Sequence, residues 1–193
     1  MSRLVSIAMV VALTAVFAFS QGKTRLGARA AFNMSSTTMG QGITNEFGGG
    51  WEAGLLAGIP IVGTMTFNPG LNFMYRQPVN FKLGSQKISA HEYAISTPLL
   101  IQLMPLGGPI FYVNGGLQVD FPFNFHSRTG SATISFNDRA PFDVGAVAGT
   151  GLFLAGEFIA IDFKVGVGLM EYDTKNKHSG QLIHGTLGLI YWF

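Results

Sequence analysis

Three residue types that often carry catalysis occur in this chain, and their spacing bears on whether they act together. His184 with Asp162 or Asp143 could form a general base and its orienting carboxylate, and Ser96 or Ser135 could supply a nucleophile. No spacing among these residues matches a catalytic motif better than chance would. A histidine that points into a polar interior is more often part of a packing network. We therefore predict no catalytic residues.

The other histidines, His91, His126 and His178, are candidates for metal binding. They fall at the ends of predicted loops on separate hairpins, so we expect no shared metal site. The chain contains no Cys, which excludes disulfides, cysteine-based zinc sites and a lipoprotein anchor. There is no phosphate-binding loop or nucleotide fingerprint, and Gly48–Gly50 is interpreted as a loop hinge. We expect no cofactor.

The composition is that of a chain in contact with lipid. Hydrophobic residues make up 48% and charged residues only 11%, against about 25% charged residues in a typical soluble domain. Beyond the amino terminus no run of about 20 apolar residues could form a spanning helix. The formal net charge of +2 is too small to favour a nucleic-acid partner. Strands with one face in lipid satisfy these observations.

The first twenty residues resemble a secretory signal peptide. Arg3 supplies the positive charge, Leu4–Phe19 is apolar, and Ala18 and Ser20 place small residues at positions −3 and −1 of a cleavage site. The alternative is a retained membrane anchor, which the short apolar segment and the lack of stop-transfer charges disfavour. We predict a signal peptide over 1–20 and one β-barrel domain over 21–193.

Alternation of apolar and polar residues with period 2 predicts eight strands. They cover about 24–33, 50–59, 64–76, 91–103, 111–125, 141–154, 159–169 and 183–193. Pro69 lies inside the third strand, where it removes a ladder donor and predicts a bulge or kink. No helical period, internal repeat or linker is present, so the prediction is an all-β, single-domain chain.

The connections alternate in length, as they do in outer-membrane barrels. Such barrels have an even number of antiparallel strands, long extracellular loops and short periplasmic turns. The predicted fold is therefore an eight-stranded antiparallel up-and-down transmembrane β-barrel with both termini on the periplasmic side. The predicted long loops are Met34–Gly49, Gln77–Ala90, His126–Ala140 and Asp173–Ser179. Aromatic residues near strand ends suit interfacial girdles: Trp51, Tyr75, Tyr93, Phe125, Tyr172, Tyr191 and Phe193.

Charged residues within the strands all fall on the parity opposite to the apolar row of their own strand. A Lys or Arg on the lipid side costs about 2–4 kcal/mol at mid-membrane, and an eight-strand barrel is just wide enough for side chains to fill it. We therefore predict a packed interior of ion pairs instead of an open pore. Its members are Arg25, Arg29, Glu52, Arg76, Asp120, Asp143, Asp162 and Lys164.

The last strand ends on an aromatic residue, which is unusual for a soluble chain because termini fray in water. Its apolar row includes Leu187, Leu189, Tyr191 and Phe193. This pattern resembles the closing strand of bacterial outer-membrane barrels, and that resemblance implies recognition by the barrel-insertion machinery through these residues.

Three segments resemble the PorT-like family of outer-membrane β-barrel proteins. Gly27–Asn33 resembles the first strand of that family, Glu92–Leu100 its aromatic strand with Pro-Leu-Leu, and Gly108–Leu117 the strand that follows. Ala31 stands where the family often has Gly. The resemblance implies a small eight-stranded barrel in the bacterial outer membrane, and we do not transfer the role in protein secretion of the name-giving member.

Several functions are compatible with this pattern. The favoured one is a structural or interaction barrel of the cell envelope, with lipid around it and an external ligand at its loops. The alternatives are a narrow transport or secretion-accessory barrel, a barrel enzyme, and a soluble lipocalin-like carrier that reads the same alternation inside out. The last would place Phe111, Phe121, Phe163 and Leu187 inside and the charges outside.

Overall fold

The computed structural model describes residues 23–37, 46–83, 86–105, 110–129, 132–135, 141–155, 157–170 and 181–193. The predicted signal peptide lies outside this part of the chain and stays a prediction. None of the described residues forms a helix that is long and apolar enough to span a membrane.

Nine strands are described, and eight of them close into a barrel. The strands are β1 (Arg25–Thr37), β2 (Gly48–Val62), β3 (Met65–Leu83), β4 (Gln86–Leu103), β5 (Phe111–Thr129), β6 (Ala132–Ser135), β7 (Asp143–Ala155), β8 (Ile159–Gly168) and β9 (Leu182–Trp192). Each ring strand pairs with its neighbours in antiparallel fashion, and β9 closes the ring against β1. The four-residue β6 pairs with the far end of β5 and stands outside the ring. The eight-stranded prediction is confirmed.

Side-chain burial follows the predicted parity. Phe163 and Leu187 are 48% and 58% exposed on the outer surface, whereas Arg29 and Asp120 are each 4% exposed in the interior. Along β9 every second residue from Leu182 to Trp192 is buried. The inside-out arrangement of a soluble carrier is therefore wrong for this chain.

The two ends of the barrel differ in strand length. At the end that holds both termini, β2 and β3 are joined by a tight turn in which Gly63 has a φ of 55°, a value that glycine adopts at low cost. At the other end β3, β4 and β5 run to 18 or 19 residues, whereas β8 and β9 have 10 and 11. About 9–11 tilted residues suffice to cross a bilayer, so β3–β5 are longer than a membrane-spanning strand needs to be.

Two of the predicted loops are wrong in this region. Most of Gln77–Ala90 is strand, because β3 continues to Leu83 and pairs with β4 from Gln86 onward. The start of His126–Ala140 is likewise strand, paired with both β4 and β6. Cross-strand pairing stabilises these polar segments although their own alternation is weak. The predicted loop Asp173–Ser179 lies outside the described residues.

A bulge or kink is predicted at Pro69, and the described ladder has no bulge there. Pairing is interrupted around Pro69 and Pro98, yet the register on both sides is the same. Register shifts occur instead between Arg76 and Val79, and between Tyr93 and Ala94. A proline has no N–H to donate to the ladder. Here the missing donor interrupts the pairing of β3 with β4, but no extra residue is inserted, so the register does not change.

Candidate functional site

Two ion-pair networks lie in the lumen. The lower one, nearer the end that holds the termini, is built on Arg29. Its Nε lies 3.1 Å from Asp162 Oδ1, it pairs with Glu52, and its second amino nitrogen donates to Thr186 Oγ1 at 3.0 Å. Lys164 Nζ lies 3.1 Å from the other oxygen of Asp162. Two cations and two carboxylates thus neutralise each other, which is the condition for burying charge.

The upper network is built on Arg76 and lies toward the end away from the termini. Arg76 donates from Nε to Glu92 Oε1 at 2.9 Å and from NH1 to Asp120 Oδ2 at 2.7 Å. Gln118 Nε2 donates to the remaining oxygen of Asp120 at 2.9 Å. These contacts join the neighbouring strands β3, β4 and β5 on the inner face of the barrel.

Glu92 belongs to this network but was not among the charges predicted to face the interior. It is fully buried. It is the second residue of the predicted strand 91–103, where too few residues precede it for the alternation to be clear. Its parity, opposite to that of Tyr93 and Ile95, was the available signal. With Glu92 included, the buried set holds three cations and five carboxylates.

The two remaining predicted members lie at the edges of the lumen. Asp143 is buried at the start of β7 and is paired in register with Asp120. Arg25 is half-exposed at the mouth beside the termini. It pairs with Glu157 Oε2 at 2.8 Å and donates to the Glu157 carbonyl at 2.5 Å. Its guanidinium lies 5.5 Å from the centre of the Trp192 ring, so Arg25 spans β9 and belongs to neither buried network.

The predicted insertion residues lie on the outer face of β9. Leu187, Leu189, Tyr191 and Phe193 are all exposed there. The Phe193 N–H donates to the Leu26 carbonyl at 2.8 Å, which ties the last residue to β1. The rings of Tyr191 and Phe193 form a T-shaped pair with 5.5 Å between their centres.

The residues considered for catalysis are buried in the lumen wall. Ser96 and His184 are 0% and 5% exposed, and among the described residues neither Ser96 Oγ nor His184 Nδ1 has a hydrogen-bond partner. Asp162 is bound to Arg29 and Lys164 instead. The side chain of Ser135 lies outside the described part.

The histidines are distributed over both faces. His91 lies on the outer face, with its Nδ1 2.6 Å from Tyr75 Oη. His126 is the register partner of His91, so these two positions are adjacent, contrary to the expectation that they stand on separate hairpins. The described residues contain no group of three or more potential ligands that could hold a metal ion. His178 lies outside them.

The lumen is apolar at the end that holds the termini, a feature that the prediction of a packed interior of ion pairs did not include. Tyr112, Ala160, Ile190 and Trp192 form a buried cluster there. A cavity of about 260 Å³ opens beside Trp192 and Arg25. Asn68 and Gln102 form part of its lining, and Asn68 Nδ2 donates to Gln102 Oε1 at 2.6 Å. The inward row of β9 changes from His184 and Thr186 to Ile190 and Trp192, and this was the readable signal.

Comparison with solved structures identifies the fold. The attachment invasion locus protein Ail of Yersinia pestis, in complex with the heparin analogue sucrose octasulfate, superposes with a TM-score of 0.57 at 10% identity, over 89% of this chain and 100% of Ail. Neisserial surface protein A superposes with a TM-score of 0.53 at 12% identity, over 88% of this chain and 97% of the other. This chain has the fold of an outer-membrane β-barrel.

Sequence comparison does not place the barrel in a narrower group. No protein-family model and no curated protein matches it. The PorT-like resemblance therefore stays a prediction, and the low identity to the solved structures establishes the fold of the barrel alone.

Proposed function

We propose that this chain is an integral protein of the bacterial outer membrane with a structural or interaction role in the cell envelope. The barrel is surrounded by lipid, its lumen is closed by ion pairs, and its extended strands and loops face the outside. The observation that carries this proposal is the separation of the two faces. Large apolar side chains cover the outside, while Arg29, Arg76 and their carboxylates are buried inside.

Fractionation followed by heat-modifiable electrophoresis tests the membrane placement, because folded membrane barrels resist SDS until they are boiled. We expect the chain in the outer-membrane fraction, extractable only with detergent, with a mobility that changes on boiling. Recovery in the periplasm without detergent would overturn the proposal.

A narrow transport or secretion-accessory barrel is the second candidate, and the cavity beside Trp192 is the observation that favours it. Asn68 and Gln102 line this cavity, and the buried ion pairs of Arg29 occupy the lumen further from the termini. We therefore expect no current steps in single-channel recording. Regular steps that respond to substitution of Arg29 would favour transport instead.

The barrel is not an enzyme in this proposal. A nucleophile must reach its substrate, and Ser96 and His184 are buried in the lumen wall. Analysis of lipid A from a deletion strain tests this point, since loss of a lipid modification would reveal an activity.

Three further parts of the proposal come from the sequence. A signal peptide over 1–20 exports the chain, the insertion machinery binds the last strand through its apolar row, and the barrel is a PorT-like protein. An external ligand at the extended end is consistent with the fold, since Ail, a protein of the same fold, was solved with a heparin analogue.

A further inference from the structure

The cavity at the end that holds the termini, here called the terminal cavity, combines apolar walls with a few polar groups. Its volume is about 260 Å³, and Met104, Phe153 and Trp192 contribute apolar surface to its lining. The amides of Asn68 and Gln102 also line it. Pockets that bind small molecules have this mixed composition. Since an apolar cavity of about 150 Å³ binds benzene, the terminal cavity has room for a six-membered ring that carries a polar group at each end.

The Trp192 ring is a fixed part of the cavity wall. A Cβ at Gly27 would lie 2.9 Å from Trp192 Cε3, and one at Gly58 would lie 3.2 Å from Trp192 Cζ3. The two glycines on β1 and β2 therefore leave the space that the indole occupies. The indole nitrogen is on the opposite edge of the ring system from these two carbons, so it points away from both glycines.

Two hydrogen-bonding atoms of the lining residues have no partner in the part of the chain that the structure describes. They are Trp192 Nε1, which is a donor, and Asn68 Oδ1, which is an acceptor. Trp192 and Asn68 are 4% and 7% exposed, and a buried polar atom without a hydrogen bond is costly. A ligand that accepts a hydrogen bond at one group and donates one at another would satisfy both atoms.

The charge of the lining favours an anion. Of the described residues that line the terminal cavity, Arg25 alone is charged, and its partner Glu157 is not among them. The two contacts with Glu157 use one N–H from each amino nitrogen of Arg25, whereas a guanidinium has five N–H donors. The Arg25 guanidinium lies 5.5 Å from the centre of the Trp192 ring, so one carboxylate can bind Arg25 and also accept a hydrogen bond from Trp192 Nε1.

We propose that the terminal cavity binds a small aromatic carboxylate that carries a hydroxyl group at the far end of its ring. The ring packs against Trp192 and Phe153, the carboxylate binds Arg25, and the hydroxyl donates to Asn68 Oδ1. The buried ion pairs of Arg29 occupy the lumen further in, so the site holds this ligand without passing it through the barrel. Only the orientation of the site toward the periplasm rests on the proposed membrane placement.

The fluorescence of Trp192 reports on binding directly. The chain has two tryptophans, and Trp51 is exposed on the outer face, so Trp51→Phe leaves Trp192 as the sole reporter. This barrel is folded in lipid nanodiscs, which leave both mouths open to solvent, and titrated with 4-hydroxyphenylacetate. We expect a saturable change in Trp192 fluorescence.

Variants of the two polar anchors separate the parts of the ligand. Arg25→Gln should weaken binding of 4-hydroxyphenylacetate about tenfold, as the loss of one charge-assisted hydrogen bond at a half-exposed site would. The same variant should bind the neutral probe 4-ethylphenol as the parent barrel does. Asn68→Ala should bind 4-hydroxyphenylacetate and phenylacetate with equal affinity, because the hydroxyl then has no acceptor.

A pair of neighbouring substitutions tests the place of binding. Thr66 lines the terminal cavity, whereas Met65 has the opposite parity in β3. Thr66→Phe should fill the cavity and abolish binding, while Met65→Phe should bind like the parent barrel.

The ratio of acid to neutral-probe affinity is measured within one variant, so it does not depend on how much of that variant folds. An equal loss of 4-hydroxyphenylacetate and 4-ethylphenol binding in Arg25→Gln would overturn the inference. So would undiminished binding by Thr66→Phe, or a folded parent barrel whose Trp192 fluorescence does not respond to the acid. A parent barrel without a heat-modifiable form would instead contradict the membrane placement.

Discussion

Individual residues in this barrel hold opposite charges together in the buried interior. Arg76 serves two carboxylates, Glu92 and Asp120, with contacts of 2.7–2.9 Å. Removing one partner of a buried ion pair is costly because it leaves the other charge without compensation. The central arginines should therefore be the most sensitive positions in the lumen.

Arg76→Met should lower the free energy of unfolding by about 3–5 kcal/mol. Urea titration of the barrel in lipid vesicles, followed by heat-modifiable electrophoresis, measures this change. The neutral triple variant R76M/E92Q/D120N should recover much of the loss, because it removes the unpaired charges as well. A single variant as stable as the wild type would contradict the assigned network.

Gly188 and Gly185 form a matched pair on the two faces of β9. A Cβ at Gly188 would lie 2.5 Å from Asp162 Oδ1 and 2.9 Å from an Arg29 amino nitrogen, whereas one at Gly185 would meet only a carbonyl oxygen at 3.9 Å. Gly188→Ala should therefore destabilise the barrel by about 1–3 kcal/mol, while Gly185→Ala should be close to neutral. The same urea titration tests both, and equal effects would show that space in the lumen is not limiting.

At the scale of elements, the last strand closes the ring and carries the predicted insertion residues. Phe193 contributes a hydrogen bond to Leu26 and an exposed aromatic side chain. Neither feature buries much apolar surface, so its main role should lie in assembly and not in the stability of the finished barrel.

Deletion of Phe193 should reduce the amount of folded barrel in the outer membrane several-fold, while the folded fraction keeps nearly wild-type resistance to urea. Quantitative immunoblotting of boiled and unboiled membranes measures the amount. Phe158→Ala is the matched control, since Phe158 is an exposed phenylalanine at the same end of the barrel and should have little effect. An equal loss of folded barrel in both variants would contradict a specific role of Phe193 in assembly.

An ion pair between Arg25 and Glu157 connects two elements that are not neighbours in the barrel. Arg25 on β1 crosses β9 to reach the turn between β7 and β8, where Glu157 has a φ of 73°. Such a φ is uncommon for a residue other than glycine, and the carbonyl of Glu157 accepts a hydrogen bond from Arg25. The contact fastens the seam at which the first and last strands meet.

For the whole molecule, the assignment of lipid to the outer face determines the function that we propose. Phe163→Lys places a charge on this face near the middle of β8 and should cost about 2–4 kcal/mol in a membrane barrel. We expect loss of the heat-modifiable form in membranes. The control Lys164→Met exchanges a neighbouring inward residue and should still insert, though with lower stability. A Phe163→Lys variant that inserts normally would contradict lipid contact at this position.

The sequence alone predicted the ring of eight strands and the two faces, because a period of 2 assigns each residue to a side without knowledge of its neighbours. Arg29, Arg76 and Lys164 were predicted to face inward for this reason. Strand ends were less predictable: β3 and β4 extend through Gln77–Ala90 because they pair with each other, which local alternation does not reveal.

Partners across the barrel were decided by the tertiary structure alone. Arg29 and Asp162 are 133 residues apart, and their contact depends on how the ring closes and on the register of each ladder. Those two properties also place Glu92 beside Arg76, His126 opposite His91, and Lys82 opposite Lys87. The parity of a residue in its strand determines the face on which it lies. Its position along the barrel axis depends on the register of every strand pair, and those registers are determined only when the barrel closes.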